Sequence, residues 1–252
     1  MVETKDPAPA NDVPARSDAA NWAHPVDRLS AAGVGGNRDD TVTGKRVSGP
    51  LQGFGQLWQK TFSVRLDGTE VTPAALIATW KEHFPEFWPN GQQFYGPLSG
   101  IAPGEVALLE IRPLPGAPVK LSTGVLVVYA DDESFTFITP EGHTLSGWIT
   151  FSARRVDDVT IAQVEALERP SDPFDELAYM LVGNNQNNKF WQGTMRNLAL
   201  SVGVGEPVVE TTTVCIDKNR QWRYWRNVRN SAIIRSARRT ITAPVRMLTG
   251  RR

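Results

Sequence analysis

The chain is 252 residues long and carries 27 Lys and Arg against 27 Asp and Glu, so net charge alone names no partner. Its one cysteine, Cys215, excludes an internal disulfide framework and a cysteine-cluster metal site, and suits a reducing cytoplasm. The start, MVETKDPAPAND, lacks the apolar segment of a secretory signal, and no run approaches the ~18 apolar residues of a membrane span. A soluble chain is expected, with any membrane contact peripheral.

The balanced total conceals a division. From Asp217 onward eleven Lys and Arg meet a single acid, which leaves sixteen against twenty-six in the rest of the chain. Residues 1–50 are rich in Ala, Pro, Asp, Gly and Asn, a composition that buries too little apolar surface to offset ordering. A disordered or loosely draped leader is expected there, with Trp22 as the side chain able to dock a short piece onto the body.

Order begins near Gly53. Phe54, Trp58, Phe62, Val64 and Leu66 alternate with Gln59, Thr61, Ser63 and Arg65, the period of a half-buried strand. Asp67-Gly68 signals a turn, and Thr72-Pro73 opens a helix carrying Leu76, Ile77 and Trp80. Pro85 and Pro89 break the next stretch into short turns. Strands are then predicted over 106–111, 121–130, 134–139, 145–156 and 159–167, separated by turn residues such as Pro140-Glu141-Gly142. Gaps this short permit antiparallel hairpins and no helical crossovers. Ser171 or Asp172 caps a long helix from Pro173, in which Phe174, Leu177, Leu181, Trp191, Met195 and Leu198 recur at helical spacing. Leu177, Leu181, Trp191 and Met195 are expected against the sheet. The run Asn184 to Asn188 is poor helix material and predicts a kink, a solvated weak spot, or amides facing a polar cavity. The fold class is thus α+β: a domain over 51–205, with a Trp/Arg-rich extension over 206–252.

This order resembles the helix-grip fold of the START-like (SRPBCC) superfamily, a curved antiparallel sheet around a long C-terminal helix. The stretch Phe135 to Ala153 is similar to a branch of uncharacterised domains through Thr139, Gly142, His143, Gly147 and Phe151. The helix from Asp172-Pro173-Phe174 to Phe190-Trp191, with Asn197-Leu198-Ala199, is similar to that branch's last helix. Where relatives often place an acidic pair after the glycine, this chain has Trp148-Ile149. The resemblance implies a cavity between sheet and helix for a lipid or other apolar small molecule. Candidates for its wall are Trp58, Trp80, Trp88, Tyr95, Tyr129, Phe137, His143, Trp148, Trp191 and Met195, with core packing as the competing role for the aromatics.

Chemistry is sparse in the sequence. Cys215, in Thr213-Val214-Cys215-Ile216, reads as a strand or an extended arm past the core, and nothing near it in sequence lowers a thiol pKa. His24, His83 and His143 form no ligand set, and Gly203-Val204-Gly205 follows a helix where a phosphate loop precedes one. No catalytic residue, metal or cofactor is therefore assigned. His143 is either a titrating group or a hairpin-tip histidine bonded to backbone. In the extension, Arg220, Arg223, Arg226 and Arg229 interleave with Trp222 and Trp225. Such a mixture suits an anionic membrane surface, single-stranded nucleic acid, or the chain's own acidic body. The function expected is non-catalytic binding of an apolar small molecule or lipid. A cyclase or hydrolase using the same cavity is the alternative, recognisable by His143 or a carboxylate facing the cavity. An interaction protein acting through its tail is a third reading.

Overall fold

The computed structural model describes residues 18–31, 41–89, 91–97, 99–112 and 120–232. Strand β1 (Leu57–Arg65) leads to helix α1 (Pro73–Glu82) and a 3-10 turn at Phe84–Phe87. The Thr72 hydroxyl caps α1 by accepting from Ala75 N, and Pro73 occupies the first turn, where a missing N–H goes unnoticed. Strands β2 (Gln93–Tyr95), β3 (Val106–Ile111), β4 (Leu121–Ala130), β5 (Ser134–Ile138), β6 (Leu145–Val156) and β7 (Val159–Pro170) come next as a meander. Helix α2 (Pro173–Ala178), a π-turn (Tyr179–Gly183) and helix α3 (Asn184–Ser201) then run as one rod before strand β8 (Val209–Asp217). These eight strands form one curved antiparallel sheet in the order β2-β3-β4-β5-β6-β7-β1-β8, gripping the rod.

Two layers of core result. On the inner face Phe62, Val64, Phe135, Phe137 and Phe151 meet Trp80, Phe84, Met195 and Leu198 from the helices, all buried. The Trp80 indole stands edge-on to Phe135 and Phe151, and those two rings stack at 4.6 Å. On the outer face Val106, Leu108 and Leu126 are covered by Leu29, Ala31 and Val42.

That cover comes from the segment read as a leader. Residues 18–31 and 41–50 pack on the convex side, and Trp22 bridges to Tyr129 with ring centroids 4.7 Å apart. Residues 1–17 and 32–40 lie outside the described residues. The sheet likewise takes its eighth strand from residues assigned to the tail: Cys215 sits in β8, opposite Trp58 of β1. Strand β2 was not legible, being three residues long between turns.

The rod departs from the expected face. Met195 is fully buried and Trp191 packs against the core, but Leu177 and Leu181 are 57 % and 73 % exposed. The inward positions of α2 and the π-turn are Asp175, Glu176 and Tyr179 instead. Asn184 N donates to Tyr179 O, five residues back, so the π-turn inserts a residue and rotates everything before it relative to α3. A single helical wheel across both parts therefore selects the wrong face for the first. The Asn run itself is helical, as the first turns of α3.

Candidate functional site

Strands β3, β4, β6 and β7 and the rod line a partly open cavity of about 350 Å³. Its walls are mainly apolar, including Leu109, Val125, Ile149, Ala178, Phe190 and Trp191. A polar region forms where β7 faces α2 and the π-turn, bringing Glu168, Asp175 and Tyr179 together with His143 and Asn187 on the cavity lining.

Glu168 is the hub of that region. Its Oε1 accepts from the Tyr179 hydroxyl at 2.9 Å and lies 3.4 Å from the Lys60 ammonium. Lys60 Nζ also donates to Asn187 Oδ1 at 3.0 Å and Asn188 Oδ1 at 2.9 Å, and stands 5.0 Å from the Tyr179 ring centre. Lys60 is wholly buried, and burial lowers its pKa against the opposing pull of Glu168. Burial, then Glu168, raises that of Tyr179. These two amides of the Asn run are thus committed to a buried cation, which corrects the expectation of a solvated weak spot.

Asp175 is strongly perturbed as well. No donor reaches either carboxyl oxygen, and burial, followed by the charge and side-chain contact of Asp172, pushes its pKa up to about 9. Asp172 is the helix cap, accepting from Phe174 N and Asp175 N. At neutral pH Asp175 is therefore a neutral acid beside the cavity.

The residues Thr139, Gly142, His143 and Gly147 build the hairpin end of the wall. Gly142 has φ +82° at the turn, and a Cβ on Gly147 would lie 2.2 Å from Leu167 O, so β6 and β7 approach too closely there for any side chain. Thr139 Oγ1 donates to Ser48 O and accepts from Gly147 N. His143 is buried, its Nδ1 lying 2.9 Å from Leu145 O and 3.0 Å from Leu145 N. Burial holds its pKa down to about 4, so the imidazole is neutral at pH 7. Both ideas about His143 meet here, since it bonds backbone and also borders the cavity.

Of the ten expected wall residues, Trp88, His143, Trp148 and Trp191 border the cavity. Trp148 does so from a position alternating with inward Ile149 and Phe151, and its ring lies by Gly49 on the outer face. Trp80, Phe137 and Met195 pack the inner core instead, because α1 and the second half of α3 fill that half of the sheet. Tyr95 and Tyr129 point outward, towards the core layer under the leader and towards Trp22. Trp58 is half-buried with its ring 6.5 Å from Tyr179, off the cavity lining. The sequence reading missed Lys60, Glu168, Asp175 and Tyr179. Lys60 carried a signal: it shares the inward alternation of Trp58, Phe62 and Val64, where a charge demands a buried partner.

The extension straps the same end of the molecule. Buried Arg169 donates to Gly55 O at 2.7 Å and Asn219 O at 3.1 Å and pairs with Asp217 at 2.8 Å. Its guanidinium holds the Asp217 carboxyl below the usual range. Beyond it Trp222 stands edge-on to Phe54 at 5.1 Å, and Asn227 donates to Gln52 O and Ser171 O. Contact with the chain's own body is therefore real for residues 217–232; residues 233–252 lie outside the described residues. Arg220 reaches Glu176 and Met180, while Arg223, Arg226, Arg229, Trp222 and Trp225 remain exposed. No group of metal-ligating side chains occurs among the described residues, and no described helix is long and apolar enough to cross a membrane.

A curved antiparallel sheet gripping a long helix over a mainly apolar cavity is the helix-grip architecture. No family model and no curated protein matches the sequence. Among solved structures, the chain is similar to the KanY protein at 11% identity and TM-score 0.46, over 60% of this chain and 99% of that one. It is similar to the major latex-like protein 151 of Panax ginseng at 13% identity and TM-score 0.40, over 60% of this chain and all 100% of that one. The di-domain ARO/CYC StfQ of the steffimycin biosynthetic pathway is matched at 8% identity and TM-score 0.44, over 58% of this chain and 51% of that one.

Proposed function

We propose that the chain binds a small, mainly apolar molecule bearing at least one polar group in the cavity beneath the rod. The observation that carries this is a cavity with mainly aliphatic and aromatic walls and a few polar groups, among them Arg112, Glu168, Asp175, Tyr179 and His143. A volume of about 350 Å³ lies at the small end of ligand pockets. It suits a few fused rings or a single chain better than a two-chain lipid. Native mass spectrometry of gently purified protein should detect a retained apolar ligand. Ala178→Trp, which fills the cavity from the rod, should lose that ligand without unfolding. Ligand retained at wild-type occupancy in Ala178→Trp would refute the location.

A second reading, a cyclase- or hydrolase-type enzyme, is favoured by the carboxyl groups that line the cavity. Neutral Asp175 is able to donate a proton, and neutral His143 to accept one. Incubating the recovered ligand with wild-type protein, Asp175→Asn and His143→Gln tests it. A mass change produced by wild type and lost in both variants, with binding kept, supports catalysis; an unchanged mass leaves the binding role.

A further inference from the structure

The segment that walls the cavity on its inside is apolar on its outside as well. Phe174, Leu177, Met180 and Leu181 are 58 %, 57 %, 58 % and 73 % exposed. Single exposed apolar side chains are ordinary, but four large ones within eight residues of one rod form a patch. The acids of α2 do not break its surface, because Asp175 and Glu176 are both buried, and the Glu176 carboxylate is paired with Arg220.

Beside the patch lies the basic segment. Arg220 joins the two, with Nη2 3.2 Å from Met180 Sδ and Nε 3.1 Å from Glu176 Oε1. From Lys218 to Asn230 the sequence has five Lys and Arg and no acid. Trp222 and Trp225 are 69 % and 47 % exposed, and the Arg226 guanidinium lies 5.6 Å from the Trp225 ring centre.

We infer that this composite face docks on an anionic lipid bilayer, with Leu177 and Leu181 entering the acyl boundary and Arg223 and Arg226 meeting headgroups. A bilayer interface offers apolar depth, a level that suits indoles, and negative charge, which are the three things this face presents together. A nucleic acid would match the arginines and leave the leucines without a partner. A second copy docking symmetrically would set the five cations against the same five. Since Val182 and Gly183 line the cavity, docking places the cavity's rod-side wall against the membrane. That last consequence rests on the ligand-binding reading; docking itself does not, so the two fail separately.

The test is co-sedimentation of the full chain with vesicles of about seven parts phosphatidylcholine to three parts phosphatidylglycerol, and with phosphatidylcholine alone. It is run at about 0.05 M and about 0.5 M salt, where screening differs several-fold. The wild type should bind the mixed vesicles at low salt, release at high salt and ignore the neutral ones. Leu177→Ser/Leu181→Ser and Arg223→Gln/Arg226→Gln should each weaken partitioning by about tenfold or more, with melting unchanged. Tryptophan emission should shift to the blue on binding. If the serine pair fails to fold, the glutamine pair and the emission shift carry the test. The proposal is overturned if the wild type ignores anionic vesicles at low salt, or if folded Leu177→Ser/Leu181→Ser binds like wild type. It is equally overturned if the patch proves to close a dimer, or to retain a single-stranded oligonucleotide in place of vesicles.

Discussion

Replacing Lys60 with Met tests whether the buried polar cluster holds the rod on the sheet. The substitution keeps length and apolar volume while removing the ammonium that engages Asn187, Asn188 and Glu168 at 3.0, 2.9 and 3.4 Å. Two hydrogen bonds from a charged donor, at about 1.5–3 kcal/mol each, are lost, but so is the desolvation cost of the ammonium. Left behind is Glu168, its side chain only 8 % exposed, with the Tyr179 hydroxyl as its bonded neighbour. Breaking a buried pair from one side costs about 3–5 kcal/mol, and Lys60→Met should fall in that range. Adding Glu168→Gln removes the stranded charge and keeps an acceptor for Tyr179. The double variant should therefore recover to within about 1–2 kcal/mol of wild type. Urea unfolding at pH 7, compared at constant m, reads both values. A Lys60→Met loss below about 1 kcal/mol, or no recovery in the double variant, would refute the reasoning.

The remaining predictions concern titration and packing. His143 has a folded pKa of about 4 against 6.5 unfolded, so its stability contribution is complete above 6.5 and falls as pH drops towards 4. The full window is worth about 3 kcal/mol, and His143→Gln should flatten it; identical urea midpoints against pH for the two proteins would contradict this. Asp175 has the opposite sign, because its folded value of about 9 lies above the unfolded 3.8. Asp175→Asn should match wild type near pH 4 and become more stable than it as pH rises to 8, a gap that thermal melts at both pH values would reveal. Met195→Ala should cost about 2–5 kcal/mol and Leu181→Ala well under 1, a contrast that reversed values from urea unfolding would overturn.

The sheet was largely legible because its signals are local. Period-two alternation and short polar gaps such as Asp131-Asp132-Glu133 dictate hairpins, whatever the rest of the chain does. The facing of the rod was not, for two physical reasons. Helical periodicity assumes that apolar residues face inward, whereas this rod turns Asp175, Glu176 and Tyr179 in and leaves Leu177 and Leu181 out. The π-turn then breaks the phase between its halves, and no residue type between Tyr179 and Gly183 announces it. The polar cluster was hidden because its members are scattered: Lys60 and Asn187 are 127 residues apart and meet only once β1 lies under the rod. Composition did not reveal that part of the leader is anchored: among its described residues Leu29, Ala31 and Val42 are buried, while Trp22 and Val26 stay exposed.

The place of β1 between β7 and β8 has a consequence for biosynthesis. Gln59 reaches across to Glu165, 106 residues later, and Gln56 to Lys218, 162 residues later. At about 5–20 residues per second of synthesis, β1 waits roughly 10–30 s on the ribosome for both of its neighbours. Until β7 emerges the strand bearing Trp58, Phe62 and Val64 has no sheet neighbour, while β3 to β6 are able to pair in order of emergence. The nascent chain thus carries an unpaired apolar strand until β7 appears, and β8 later adds to its other edge. Chaperone capture at Leu57–Arg65, and loss of refolding yield at high protein concentration, are where that delay would be felt.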